Sequence, residues 1–211
     1  MTQSGRELNV LAQTWGQPRI IERQIPVAPG LRQDTVHDFF SERWGEVVMV
    51  VRRAGDGRVW VMTKESFPHG LYSLPTGGIR PGESIAAALW RELGEETGFD
   101  ARMERFLATI RYEPILASGD PQGVPCFFSY VFLLEELNGA EPAVTGGERI
   151  LDFKAVLPAE LLAIERQWSA LSGSSDEFHD LAAWGIFRSI VHQAVWEALA
   201  RAEVSIPTSI P

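Results

Sequence analysis

Apolar and polar positions along the chain fall into short patterned runs separated by turn signals. "PRIIERQIPV" (Pro18 to Val27) alternates like a half-buried strand, and residues 4 to 14 before it read as a short helix. "TVHDFFSERWGEVVMVVRR" (Thr35 to Arg53) and "RVWVMTKES" (Arg58 to Ser66) are β-rich and flank "AGDG", which predicts two strands joined by a hairpin. The Pro- and Gly-rich segment from Phe67 to Glu83 reads as loop. Ser84 to Thr97 reads as a helix with Ser84 as its N-cap, closed by Gly98, since glycine takes a left-handed cap most easily. Two strand-like runs follow, "ARMERFLATIRYEP" and "VPCFFSYVFLLEEL", with "ILASGDPQG" between them as a candidate rim. A strand over about Arg149 to Val156 leads into a helix opened by Pro158 and running to about Gln167. "SALSGSSDE" reads as a linker, Asp176 as an N-cap, and Glu177 to about Arg201 as the last helix. The closing "VSIPTSIP" reads as poorly ordered.

This order of strands, helix, strands, helix, helix predicts an α/β fold, a mixed sheet covered by helices on its faces. With 211 residues the chain is long enough for one domain with additions and short for two separate cores. The expected division is an N-terminal extension over 1–44, the main domain over 45–170, and a linker with a C-terminal helix packed on the domain over 171–211. The extension is a candidate for an added strand or a homodimer contact. In the last helix Leu181, Trp184, Val191, Val195 and Leu199 recur at roughly helical spacing, which favours packing on the parent domain over a helix waiting for a partner.

Hydrophobic content of 45% and charged content of 22% suit a globular protein, and no run is long enough to cross a bilayer, so no membrane partner is expected. The first residues show neither a basic start nor an apolar signal core, so the expected compartment is the cytoplasm. The single cysteine, Cys126, fits a reducing compartment and reads as a buried small hydrophobe. A net charge of −9 argues against a nucleic-acid partner and raises the question of how an acidic protein would hold an anionic small molecule. A divalent cation is the usual means.

The chemistry concentrates in "GGIRPGESIAAALWRELGEETGF", Gly77 to Phe99. A helical residue advances about 100°, so Glu92, Glu95 and Glu96 share one side of the helix within an arc of about 100° and can share a ligand. Hard ions such as Mg²⁺ take carboxylate oxygens and keep waters. Gly77 and Gly78 let the backbone come close to another group. Glu83 and Arg91 are opposite charges about two turns apart, suited to pair and fix the start of the helix. Trp90 reads as core. The four histidines, His37, His69, His179 and His192, share no metal spacing and read as structural or exposed, with His69 the one that borders the segment.

Gly77, Glu83 and the run Arg91-Glu92-Leu93-Gly94-Glu95-Glu96-Thr97-Gly98-Phe99 together resemble the Nudix box at each of its defining positions. The surrounding order of elements resembles the Nudix fold, an α/β/α sandwich with a mixed sheet, over about residues 45 to 165. The resemblance implies hydrolysis of a nucleoside diphosphate linked to another moiety, with Mg²⁺ or Mn²⁺ on Glu92, Glu95, Glu96 and the Gly77 carbonyl. Glu83, Arg91, Gly77 and Gly78 then have structural or substrate-positioning roles. Family members differ in their general base, so Glu95, Glu92 and the loop residue Glu148 are the candidates. Pro114 stands where members acting on ADP-ribose-like compounds tend to carry a proline, which slightly favours ADP-ribose or a nucleotide sugar. Dinucleoside polyphosphates, NADH and nucleoside triphosphates remain alternatives, as does a nucleotide-ligand sensor without catalysis.

Overall fold

The computed structural model describes residues 3–26, 44–115, 126–139, 141–144, 149–171 and 179–204. The elements are α1 (Gln3–Trp15), β1 (Arg19–Pro26), β2 (Gly45–Arg52), β3 (Val59–Lys64), β4 (Thr76–Gly78), α2 (Ile85–Thr97), β5 (Ala101–Ile115), β6 (Phe127–Glu136), β7 (Ile150–Val156), a 3₁₀ turn (Pro158–Glu160), α3 (Leu161–Leu171) and α4 (His179–Val204).

Strand β2 lies at the centre, and every residue from Gly45 to Val51 is buried. An unbroken apolar run is what a strand covered on both faces requires. Val48 and Val50 join one layer with Ile164 and Trp168 of α3 and with Val191, Val195 and Leu199 of α4. Val47, Met49 and Val51 join the other layer with Ile85, Leu89 and Leu93 of α2 and Leu11 of α1. The result is the expected α/β/α sandwich. Its sheet has seven strands in the order β1-β5-β6-β2-β3-β7, with β4 beside β2. The sheet is mixed, as expected, because β1 runs parallel to β5 and β6 parallel to β2 while the remaining pairs are antiparallel.

The N-terminal extension supplies an edge strand, pairing from Arg19 opposite Ala108 to Pro26 opposite Ile115. Helix α1 also reaches the start of α2, where Glu7 Oε1 accepts from the Ala86 N–H at 3.1 Å. The C-terminal helix α4 is docked on the sheet, with Val191, Val195 and Leu199 buried in the shared layer. The side chains of Leu181 and Trp184 fall outside the described set. Among the described residues no helix is long and apolar enough to cross a membrane.

Several expectations are corrected. The segment from Phe67 to Glu83 contains a short strand, β4, because its backbone pairs with β2 from Val48 opposite Thr76 to Glu46 opposite Gly78. The strand expected from Thr35 runs from Gly45, and residues 35–43 lie outside the described set. Helix α3 continues to Leu171, into the presumed linker, because Trp168 is buried and donates from Nε1 to the Tyr72 carbonyl at 2.8 Å. Trp90 is 42% exposed, since its neighbours Leu89 and Leu93 take the core face of α2. Cys126 is only partly buried, and its Sγ lies 3.1 Å from Arg111 Nη2. Most of the rim segment after Ile115, Asp176 and Glu177, His37 and the residues after Val204 lie outside the described set.

Candidate active site

The site begins with the two ends of α2. Ser84 is extended and its side chain accepts from the Ala87 N–H, while Gly98 at φ 65° closes the helix with its N–H on the Gly94 carbonyl. Gly98 has a second constraint, because a Cβ there would stand 2.4 Å from the Ala143 carbonyl oxygen. These caps fix where the helix starts and stops, and hence which way its acidic side chains face.

The first of those acids meets β4. A Cβ on Gly77 would lie 2.0 Å from Glu92 Cδ, so the Glu92 carboxylate occupies the volume that any side chain at 77 would fill. Pairing with β2, at Val47 opposite Gly77, holds the strand in that position.

Arg91 organises the acids. Its Nε and Nη2 donate to Glu83 Oε1 and Oε2, each at 2.8 Å, and Nη2 also donates to the Gly78 carbonyl at 2.9 Å. Its Nη1 donates to Glu92 Oε1 at 2.6 Å and to Glu95 Oε2 at 3.1 Å. Glu83 also accepts from the Arg80 N–H at 2.9 Å, which closes the turn before the helix. The bidentate bond from Arg91 holds the Glu83 carboxyl below its ordinary range, and the bonds to Glu83 and Glu92 raise Arg91 in return. The expected pair of Glu83 and Arg91 is thus present, and the same guanidinium draws Glu92 and Glu95 to a single nitrogen.

Glu96 faces elsewhere. It is 2% exposed, accepts from Lys64 Nζ at 2.6 Å on Oε1 and from the Thr76 N–H at 3.1 Å on Oε2. Glu92 and Glu95 thus bond Arg91, while the neighbouring Glu96 bonds Lys64 and the Thr76 N–H. Glu95 is the open member, with its side chain 42% exposed against 13% for Glu92. Glu148 lies outside the described residues. His69 is exposed.

Lys64 and the Thr76 amide are the site groups that reading the sequence missed. A signal for Lys64 was present: Trp60, Met62 and Lys64 share one face of β3 by the period of two, and Trp60 and Met62 are buried. A lysine continuing a buried face needs an anionic partner.

His192, on α4, is buried and neutral. Burial pushes its imidazole down to about 4, and it bridges the Leu74 N–H, 3.2 Å from Nε2, and the Arg188 carbonyl, 2.6 Å from Nδ1. It thereby ties α4 to the segment that leads into β4.

Residues 43–174 match the model of the NUDIX domain. The RNA pyrophosphohydrolase of Cronobacter sakazakii is 39% identical over 64 residues, 30% of this chain and 34% of that protein. The RNA pyrophosphohydrolase of Escherichia coli strain K12 is 38% identical over the same length. The chain therefore spans about a third of the length of the curated relatives it matches. Among solved structures, a Caenorhabditis elegans Ap4A hydrolase binary complex is 17% identical with a TM-score of 0.48, covering 77% of this chain and 98% of that one. The NUDIX domain of Shewanella oneidensis NrtR complexed with ADP ribose is 19% identical with a TM-score of 0.42, covering 60% and 80%.

Proposed function

The chain belongs to the NUDIX family, and from that we propose that it is a pyrophosphohydrolase that cleaves the anhydride of a nucleoside diphosphate derivative with Mg²⁺ or Mn²⁺. The reading is carried by one observation, the grouping of Glu92 and Glu95 at Arg91 Nη1 with the Glu92 carboxylate set directly against the Gly77 backbone. Carboxylate oxygens grouped on one helix are donors of the kind a hard divalent ion takes. Glu92, Glu95 and Glu96 are the side chains that would hold it, with the Gly77 carbonyl as the backbone donor. A bound cation would neutralise the anhydride oxygens and make the attacking water more acidic.

The chain's own groups do the rest. Arg91, fixed by Glu83, orients Glu92 and Glu95, and Gly77 admits Glu92 close to the backbone. Glu95 is the exposed carboxylate, suited to accept a proton from water. The water oxygen bonds to phosphorus, the bridging P–O bond breaks, Glu95 takes the water proton, and solvent protonates the leaving phosphate. Glu148 is the second candidate for that proton.

The substrate class we favour is ADP-ribose or a nucleotide sugar, on the spacing of Pro114, which sits in β5 opposite Ile25. The sequence relatives named as RNA pyrophosphohydrolases add an RNA bearing a pyrophosphate linkage to the compounds that need testing. The experiment incubates the protein and Mg²⁺ with ADP-ribose, nucleotide sugars, dinucleoside polyphosphates, NADH, deoxynucleoside triphosphates and that RNA, resolved by chromatography beside Glu92→Gln and Glu95→Gln. Cleavage of one compound by the wild type and not by the variants supports the reading. Tight metal-dependent binding of a compound without cleavage sinks it in favour of a ligand sensor.

A further inference from the structure

The turn between β4 and α2 fixes Arg80 by its backbone. Its N–H donates to Glu83 Oε2 at 2.9 Å, and its carbonyl accepts from the Glu83 N–H at 3.0 Å. Just before it, the buried Ile79 donates its N–H to the Gly45 carbonyl at 2.9 Å. Gly82 at φ 78° then lets the chain double back into the helix. The Arg80 side chain takes no part in these bonds and stands out in water, 63% exposed, with Nη2 3.7 Å from Glu95 Oε1. Glu95 is the open acid of α2, so the exposed cation of the turn lies beside the exposed carboxylate of the helix.

Arg91 and Lys64 are held differently. Their side chains are 16% and 11% exposed, and they reach their carboxylates at hydrogen-bond distances of 2.6 to 3.1 Å. Arg91 is tied as well to the Gly78 carbonyl, so it stays on β4 whatever else the acids bind. At 3.7 Å the Arg80 contact is longer than a hydrogen bond, and an exposed pair of that length is weak and screened by salt. A divalent ion on the acids neutralises Glu95 and turns the Arg80 guanidinium toward the anion that the ion brings with it. A planar fork of N–H donors fits two oxygens of a phosphoryl group. In a chain of net charge −9, a diphosphate also needs a cation at the mouth of the site to offset the carboxylates around it.

The geometry points to Arg80 as the residue that grips the non-bridging phosphoryl oxygens of the diphosphate, exchanging Glu95 for the substrate once the acids hold a divalent ion. This rests on the pyrophosphohydrolase reading above and adds to it a substrate contact from the turn before α2. The phosphoryl group is charged before and during cleavage, so the contact acts on binding more than on turnover.

The test titrates the protein calorimetrically, at fixed free Mg²⁺, with methylenediphosphonate, a diphosphate analogue whose carbon bridge resists hydrolysis and which carries no nucleoside. Arg80→Ala keeps the backbone bonds of the turn, unfolds at the wild-type temperature and weakens binding by about tenfold, the size of one charge-assisted bond at an exposed place. Arg80→Lys keeps the charge without the fork and falls between the two. Arg102→Ala is the control. It removes an equally exposed charge, 62% against 63%, and binds as the wild type does. Arg102 lies opposite Glu135, which lies opposite Arg52, at the end of β2 away from Gly45. On whichever compound of the panel is cleaved, Arg80→Ala raises KM by about tenfold and leaves kcat within about threefold. Arg80→Ala binding within about twofold of wild type, Arg102→Ala weakening it equally, or a loss confined to kcat overturns the inference and leaves the hydrolase reading standing. Wild-type protein that does not bind the diphosphonate overturns the inference as well, and the hydrolase reading falls with it only if the panel also goes uncleaved.

Discussion

The carboxyl carbon of Glu92 lies 2.0 Å from where a Cβ on Gly77 would stand. Glycine is needed here for close approach, and the colliding group is the end of a side chain that can swing aside. Gly77→Ala should therefore fold, yet displace Glu92 from Arg91 Nη1. Misplacing a reacting group by about 1 Å can cost on the order of 100-fold in rate. The expected result is a loss of that order in kcat/KM with a melting temperature within a few degrees of wild type. Activity within about threefold of wild type would show that the Glu92 position is unimportant.

Arg91 holds Glu83 with two parallel bonds and reaches the Gly78 carbonyl and two further acids with the same fork. Lysine retains the charge and cannot reproduce that geometry. Arg91→Lys should lower kcat by about 10-fold or more while changing KM little, because the acids lose their common orientation. Steady-state kinetics check this, and a variant indistinguishable from wild type would reduce Arg91 to its charge.

His192 sets a pH dependence of stability. Its folded pKa of about 4 lies below the ordinary 6.5, so between these values the unfolded chain binds more protons than the folded one. Stability from this group is complete above about pH 6.5 and is lost as pH falls toward 4, with a total of roughly 3 kcal/mol. Urea unfolding from pH 7.5 to 4.5 should show a shallower loss for His192→Gln than for wild type. Glu83, also depressed by its bond to Arg91, loses stability on acidification in both proteins and cancels in the comparison. Equal slopes would remove His192 as the cause.

Glu7 caps a helix in another part of the chain, accepting from the Ala86 N–H in the first turn of α2. A carboxylate at a helix N-terminus also complements its dipole. Glu7→Ala should lower stability by about 1 kcal/mol, or roughly 2–4 °C in melting temperature for a chain of this size. A scanning calorimetry trace that does not shift would make α1 an apolar dock only, through Leu8, Leu11 and Trp15.

Helix α2 was legible because its signals are local: Ser84, Gly98 and the Glu83–Arg91 spacing each act within one or two turns, and each is realised. Strand β4 was not, because Gly77 and Gly78 disfavour a strand, a single strand-favouring Thr76 leaves no pattern to read, and the segment is extended by pairing with β2, some thirty residues away in sequence. Glu96 looked like Glu92 and Glu95 by helical position alone, and only its contacts with Lys64 and Thr76 separate it from them. Trp90 shows the limit of composition on a helix: a large aromatic residue is left 42% exposed when smaller neighbours hold the core face. The extension at the N-terminus had a readable strand pattern, but its parallel partner, β5, lies about ninety residues on and leaves no mark in the pattern itself.

The most direct measurement is turnover in ¹⁸O-labelled water with Mg²⁺ and the mixed panel of anhydrides, analysed by mass spectrometry of the phosphate-bearing products. Hydrolysis at phosphorus predicts one labelled oxygen per cleaved anhydride, dependent on Mg²⁺ and abolished in Glu95→Gln. Products without the label, or labelled products formed equally by Glu95→Gln and without a divalent ion, would contradict a hydrolase built on the acids of α2.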